Sequence, residues 1–188
     1  MLIIKKCHTM KNIKLFLFLL IFLLICNKAM SKNNGSIYDF NFTDIDGNLV
    51  KLSTFQGKPL LMVNTASRCG FTPQYEGLQT LFTNYRKSDL TIIATTSNSF
   101  NQEYTNPDDI KKICLVNYGV GFITSSPMNV KGDNIHPLYN WIKNQYNKSP
   151  KWKFYKYLFD RDGKLVDSWS SITKPNSSKI TLKIEQLI

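Results

Sequence analysis

Leu60-Leu61-Met62-Val63-Asn64-Thr65-Ala66-Ser67-Arg68-Cys69-Gly70-Phe71-Thr72-Pro73-Gln74-Tyr75 is the stretch that decides the fold. Its apolar opening is too short for a core helix and reads as a strand buried on both faces. The small residues Ala66 and Ser67 turn the chain. Thr72 is a good N-cap and Pro73 suits a first helical position, so a helix is predicted to open just beyond the cysteine. Cys69 therefore falls at a strand-to-helix junction, beside the cationic Arg68. Unpaired amides, the positive end of a helix dipole and a neighbouring cation all favour thiolate over thiol. That chemistry suits a nucleophile. The other reading is a buried structural thiol, against which Gly70 and the polar flanks argue.

On the N-terminal side, Ile37 to Thr43 alternates apolar and polar residues and is predicted as a strand. Asp46-Gly47 marks a tight turn, Leu49 to Leu52 returns as the hairpin partner, and Phe55 to Pro59 turns into the central strand. On the C-terminal side, Tyr75, Leu78, Phe82 and Tyr85 share one helix face. Leu90 to Thr95 follows as a second buried strand, parallel to the first because a helix of crossover length joins them. Asn106-Pro107-Asp108-Asp109 caps a further helix, with Ile110, Ile113 and Cys114 as its apolar face and Gly119 as its stop. A short strand is expected within Gly121 to Val130, and His136-Pro137 opens a helix that runs to Tyr146. Phe154 to Phe159 and Leu165 to Trp169 form a hairpin about Asp160-Arg161-Asp162-Gly163, and Ser177 to Leu187 closes the chain as a helix. A β-α-β half followed by a β-β-α half is similar to the thioredoxin fold. The class expected is α/β, a central mixed sheet flanked by helices and preceded by an N-terminal β-hairpin. No Cys-x-x-Cys is present, because Cys69-Gly70-Phe71-Thr72 lacks a second thiol, and this disfavours a dithiol reductase.

Residues 1–38 hold six lysines (Lys5, Lys6, Lys11, Lys14, Lys28, Lys32) and no acid, in a chain of net charge +11. Leu15 to Cys26 is an unbroken apolar run of 12 residues, followed by the small pair Ala29 and Ser31. Residues 1–31 read as a secretory signal peptide, or as a signal anchor if uncleaved. The run is short beside the roughly 20 residues of a membrane span. The protein would then enter the secretory pathway or an organelle reached through it, whereas initiation at Met30 would leave it cytosolic. Residues 32–188 have the size of one domain with an adequate core. Their positive charge is spread out rather than gathered into a stripe with exposed aromatics, which argues against nucleic acid. N-x-Ser/Thr sequons at Asn34, Asn41, Asn147 and Asn176 follow from an Asn-rich composition. With His8 and His136 as its two histidines, the chain offers no His-rich metal site and poor material for a Ser/His/Asp triad. Cys7 and Cys26 fall in the leader, which leaves Cys69 and Cys114 in the domain as two unrelated thiols or one redox couple. Spacing alone makes Cys114 a core residue of its helix.

At this point Val63 to Tyr75 resembles, nearly position by position, the signature of the glutathione peroxidase family in its cysteine-containing branch. Asn117-Tyr118-Gly119-Val120, His136-Pro137-Leu138-Tyr139 and Lys151-Trp152 through Asp160-Arg161-Asp162-Gly163 match in the same order. The resemblance covers residues 36–188. It implies a peroxidatic Cys69 that attacks a hydroperoxide, becomes a sulfenic acid and is stabilised by hydrogen bonds from Gln102 and Trp152. It implies a resolving Cys114, a Cys69–Cys114 disulfide and local unwinding of the Asp109–Tyr118 helix to form it. It further implies no bound cofactor or metal, with thioredoxin as the reductant rather than glutathione. The brief linker between Trp141 and Trp152 resembles monomeric members with an open site that admits lipid hydroperoxides; on this reading the membrane is met only through the leader or such substrates.

Two departures stand out. Ala94 to Phe100 replaces the family's usual Phe-Pro-Cys-Asn-Gln-Phe and the loop to Gln102 is one residue shorter, so displacement of Gln102 is an expectation to test. Lys153 stands where the family has an Asn beside the Trp. The alternatives to a peroxidase are a redox relay or sensor and an inactive thioredoxin-fold protein.

Overall fold

The computed structural model describes residues 35–188, and the predicted leader with its boundary at residue 31 lies outside them. The run that opens the deciding stretch is strand β3, Leu60–Thr65, all of whose residues are buried. Its neighbours explain why. Parallel β4 (Thr91–Thr96) lies on one side and antiparallel β6 (Tyr155–Phe159) on the other. β5 (Ile123–Thr124) and β7 (Leu165–Trp169) complete a mixed sheet of order β5-β4-β3-β6-β7. Alternate β3 residues serve opposite faces, as the period of two requires. Leu61 and Val63 join Leu78 and Leu81 of helix α1 (Gln74–Tyr85), Ile110 of α2 (Pro107–Lys111) and Ile180 of α4 (Ser178–Glu185). Leu60 and Met62 instead meet Leu138 and Ile142 of α3 (Pro137–Tyr146).

The expected N-terminal hairpin is present as β1 (Asn41–Thr43) and β2 (Leu49–Lys51), a separate two-stranded sheet. The predicted strand from Ile37 is shorter than its alternation suggested. Ile37–Asp39 is a 3₁₀ turn instead, because Ser36 and Asp39 form a reciprocal capping box there. The helix predicted from Asn106 begins as expected, with the Asn106 side chain accepting from the Asp108 N–H. After Lys111 it widens into π-helix over Lys112–Asn117 and stops at Gly119, whose φ is +59°. The His136 ring accepts from the Leu138 N–H at 3.3 Å to open α3.

The strand directions fix where chemistry can occur. β3 and β4 run in parallel and β6 runs against them. The segments leaving β3 and β4 and the segment entering β6 therefore meet at one edge of the sheet. These carry Cys69, Gln102 and Trp152-Lys153. Among the described residues no helix is long and apolar enough to cross a membrane.

Candidate active site

The loop after β3 is tied by a single hydroxyl. Thr72 Oγ1 accepts from the Cys69 N–H at 3.1 Å and lies 3.0 Å from the Ala66 carbonyl and 2.7 Å from that of Cys69, the acceptors open to its proton. The predicted role of Thr72 as N-cap is thus corrected: α1 begins at Gln74, Pro73 stands at the cap, and Thr72 braces the turn. Cys69 is a half-buried residue, and its sulfur accepts from the Phe71 N–H at 3.4 Å. That donor belongs to the turn, ahead of the helix, so a local amide rather than the α1 dipole meets the sulfur.

Of the two cations that the sequence offers the site, Arg68 beside the cysteine and Lys153 beside Trp152, the second packs into it. Arg68 is exposed and its guanidinium lies 5.5 Å from the Tyr104 ring centre. Lys153 is buried instead, and its Nζ donates to Gln102 Oε1 at 3.0 Å. Burial lowers the Lys153 pKa, while negative charge at Cys69 and at Glu103 works to raise it and Lys131 to lower it further. Glu103 is the acid facing it. Its two oxygens accept from the Ser67 N–H at 3.1 and 3.2 Å, and Oε1 accepts from the Tyr104 N–H at 2.9 Å. Burial nevertheless raises the Glu103 carboxyl above its ordinary value.

The shortened loop does not carry Gln102 away. Its carbonyl accepts from the Arg68 N–H at 2.9 Å, directly before the cysteine. Trp152 is 41% exposed and its ring lies 5.2 Å from that of Phe100. Neither the Gln102 amide nor the Trp152 indole is hydrogen-bonded to the sulfur among the described residues; Phe71 alone supplies such a bond. A cleft of about 500 Å³ opens beside the loop, bordered by Gly70, Phe71, Gln74 and Lys174, but Cys69, Gln102 and Trp152 do not line it. Cys69 thus lies beside this cleft rather than within it.

Cys114 is buried on the π-helical segment, and its Sγ donates to the Tyr75 hydroxyl at 3.4 Å. Burial pushes its thiol up to about 11. Both cysteines are free, and their sulfurs engage different partners.

Two further residues build the site without having been singled out. Asn64 donates from Nδ2 to the Trp152 carbonyl at 3.0 Å and accepts on Oδ1 from the Tyr155 N–H at 2.9 Å. Its amide brackets the Trp152–Tyr155 backbone, where Phe154 takes a φ of +57°. A polar side chain directly after the apolar Leu60–Val63 run, still on the buried strand, was the signal available for it. Glu103 had none, since a loop acid beside Gln102 reads the same whether solvated or buried.

The sequence model of the family described as "Glutathione peroxidase" matches residues 37–143. The glutathione peroxidase-like peroxiredoxin gpx1 of Schizosaccharomyces pombe is 42% identical over 143 residues, 73% of this chain and 90% of that protein. The hydroperoxy fatty acid reductase gpx1 of Synechocystis is 40% identical over 169 residues, 82% of this chain and 97% of that one. Among solved structures, Trgpx in its apo form superposes with a TM-score of 0.66 at 34% identity, over 81% of this chain and 95% of its own.

Proposed function

This chain belongs to the glutathione peroxidase family, and from that membership we propose that it is a thiol peroxidase working through Cys69 and Cys114. The Cys69 thiolate attacks the distal oxygen of a hydroperoxide and the O–O bond breaks. The alcohol, or water from hydrogen peroxide, leaves with a proton, and the sulfur becomes a sulfenic acid. Cys114 then attacks that sulfur, expelling water and leaving a Cys69–Cys114 disulfide, which a thioredoxin-type dithiol reduces by exchange. Gln102 and Trp152 serve as the donors that steady the sulfur and the leaving oxygen as charge moves between them. No bound cofactor enters this cycle; the thiol reductant is a co-substrate.

One observation carries the reading. Cys69, in the turn that leaves the central strand, is only half-buried, and its sulfur already accepts an amide N–H. The cleft beside it suits bulky substrates, and the Synechocystis relative is named for hydroperoxy fatty acids; lipid hydroperoxides are therefore proposed alongside hydrogen peroxide. The protein is further proposed to act as a monomer, delivered to the secretory pathway by residues 1–31 or retained in the cytosol when translation starts at Met30.

The test is an NADPH-coupled assay of the wild type, Cys69→Ser and Cys114→Ser with thioredoxin and glutathione compared. Cys69→Ser is expected to be inactive, and Cys114→Ser to lose support from thioredoxin. Retained turnover in Cys69→Ser would falsify the assignment. A second reading, a redox relay, draws support from the burial and raised pKa of Cys114, which slow resolution and prolong the sulfenic acid. Rapid saturable turnover with thioredoxin favours the peroxidase; slow turnover that only a client protein accelerates favours the relay.

A further inference from the structure

The amide of Gln102 has two ends of nearly the same shape and opposite chemistry. Its NH₂ can donate to a thiolate, whereas its carbonyl oxygen would repel one. Nothing in the shape of the side chain chooses between them. In the structure the choice is made by Lys153, whose Nζ holds Gln102 Oε1 at 3.0 Å. Lys153 is itself rigidly held. It is buried, its carbonyl accepts from the Ser171 hydroxyl, and the neighbouring backbone is bracketed by Asn64. Its ammonium also lies 5.9 Å from the Phe100 ring centre and 5.8 Å from that of Trp152.

We propose that Lys153 is a positioning residue for the peroxide reaction: it grips the Gln102 oxygen, so that the amide NH₂ is the end left to face the Cys69 sulfur. This rests on the peroxidase reading above and deepens it. The charged groups that act on the ammonium are Cys69, Glu103 and Lys131. A residue with no hydrogen-bond donor here would leave the amide free to turn its oxygen toward the sulfur.

The test follows single-turnover oxidation of Cys69 by hydrogen peroxide at pH 7, by rapid quench and mass spectrometry. The proteins compared are the full-length wild type, Lys153→Met, Lys153→Gln, Gln102→Ala and the Lys153→Met/Gln102→Ala double variant. Lys153→Met is expected to slow oxidation roughly 10- to 100-fold, less than the roughly 100- to 1000-fold for removing one preorganised donor outright, because the amide is released rather than deleted. Lys153→Gln keeps a donor of similar reach and is expected to stay within about fivefold of the wild type. The double variant is expected to be no slower than Gln102→Ala alone, because Lys153 acts through that amide. A merely structural lysine would give additive losses and no recovery by Gln, and either result overturns the proposal. So does an unchanged rate in Lys153→Met. Should Lys153→Met fail to fold, Lys153→Gln decides: a loss as large as that of Gln102→Ala overturns it. A wild type that peroxide leaves unoxidised removes the peroxidase reading and this inference together, whereas a reactive wild type with indifferent Lys153 variants removes this inference alone.

Discussion

Asn64 carries more of the site than its position suggests. Its side chain joins the central strand to the backbone on both sides of Lys153, through the Trp152 carbonyl and the Tyr155 N–H. Asn64→Ala strips both groups of their partner, at a cost of about 1–3 kcal/mol for each one left unpaired. Urea denaturation should report that loss, and the rate of Cys69 oxidation should fall with it as the Trp152–Lys153 segment loosens. Asn64→Asp keeps an acceptor for Tyr155 but loses the donor for Trp152, and is expected to fall between the two. At this scale the sequence was legible where residue type is itself the chemistry. Cys69 was read from a strand-to-helix junction, and its sulfur does accept a local amide. Which cation faces it was not legible. Arg68 was adjacent in sequence yet lies over Tyr104, while Lys153 arrives from the segment that enters the adjoining strand β6.

Among the elements, the π-helical stretch Lys112–Asn117 is the weak member. Leu115 and Val116 are exposed, and only Cys114 in the stretch is fully buried. Few buried contacts and a distorted hydrogen-bond ladder place such a segment among the first to open. Amide exchange across Lys112–Tyr118 should therefore outpace that of β3 by orders of magnitude. Cys114 also makes the stability of this element depend on pH in a defined direction. An unfolded thiol ionises near the ordinary 9.0, while the folded one waits until about 11. As pH rises through that window the unfolded chain sheds a proton that the folded chain keeps, so stability falls. The difference amounts to about 3 kcal/mol. Urea midpoints of the wild type and Cys114→Ser measured between pH 8 and pH 11 should reveal it as an alkaline decline that is steeper in the wild type, the buried Tyr75, Tyr139 and Tyr157 adding a decline common to both. Equal declines would remove the buried thiol as its cause. The helix itself was readable from the Asn106 cap and the Gly119 stop; its π geometry was not. Periodicity of the apolar residues cannot separate an α ladder from a π one over a single turn.

For the whole domain, residues 35–188 contain both hydrophobic clusters, one on each face of the sheet. Expressed without residues 1–34, they should fold cooperatively and turn over peroxide like the full chain. A lower thermal midpoint or lost turnover in the shortened protein would contradict that expectation. Architecture was the most legible layer of all. The order of strands and helices, the parallel pairing of β3 with β4 and the closing hairpin of β6 with β7 all followed from runs, turns and crossover length. What escaped was long-range: Glu103 beneath the Cys69 loop and Lys153 against Gln102 join segments 36 and 51 residues apart. Pattern within one segment holds no information about such meetings.

The reversed direction of β6 has a consequence for timing. In the cycle proposed above, every group that greets peroxide stands on segments joined to adjoining strand ends, so the oxidising half asks for side-chain movement alone. The reducing half depends on a thiol stowed in a frail turn on one face. The halves should then diverge on cooling, the first barely slowed and the second sharply so. Chilled cells under oxidant stress would accumulate the spent enzyme, waiting on a hinge rather than on its substrate.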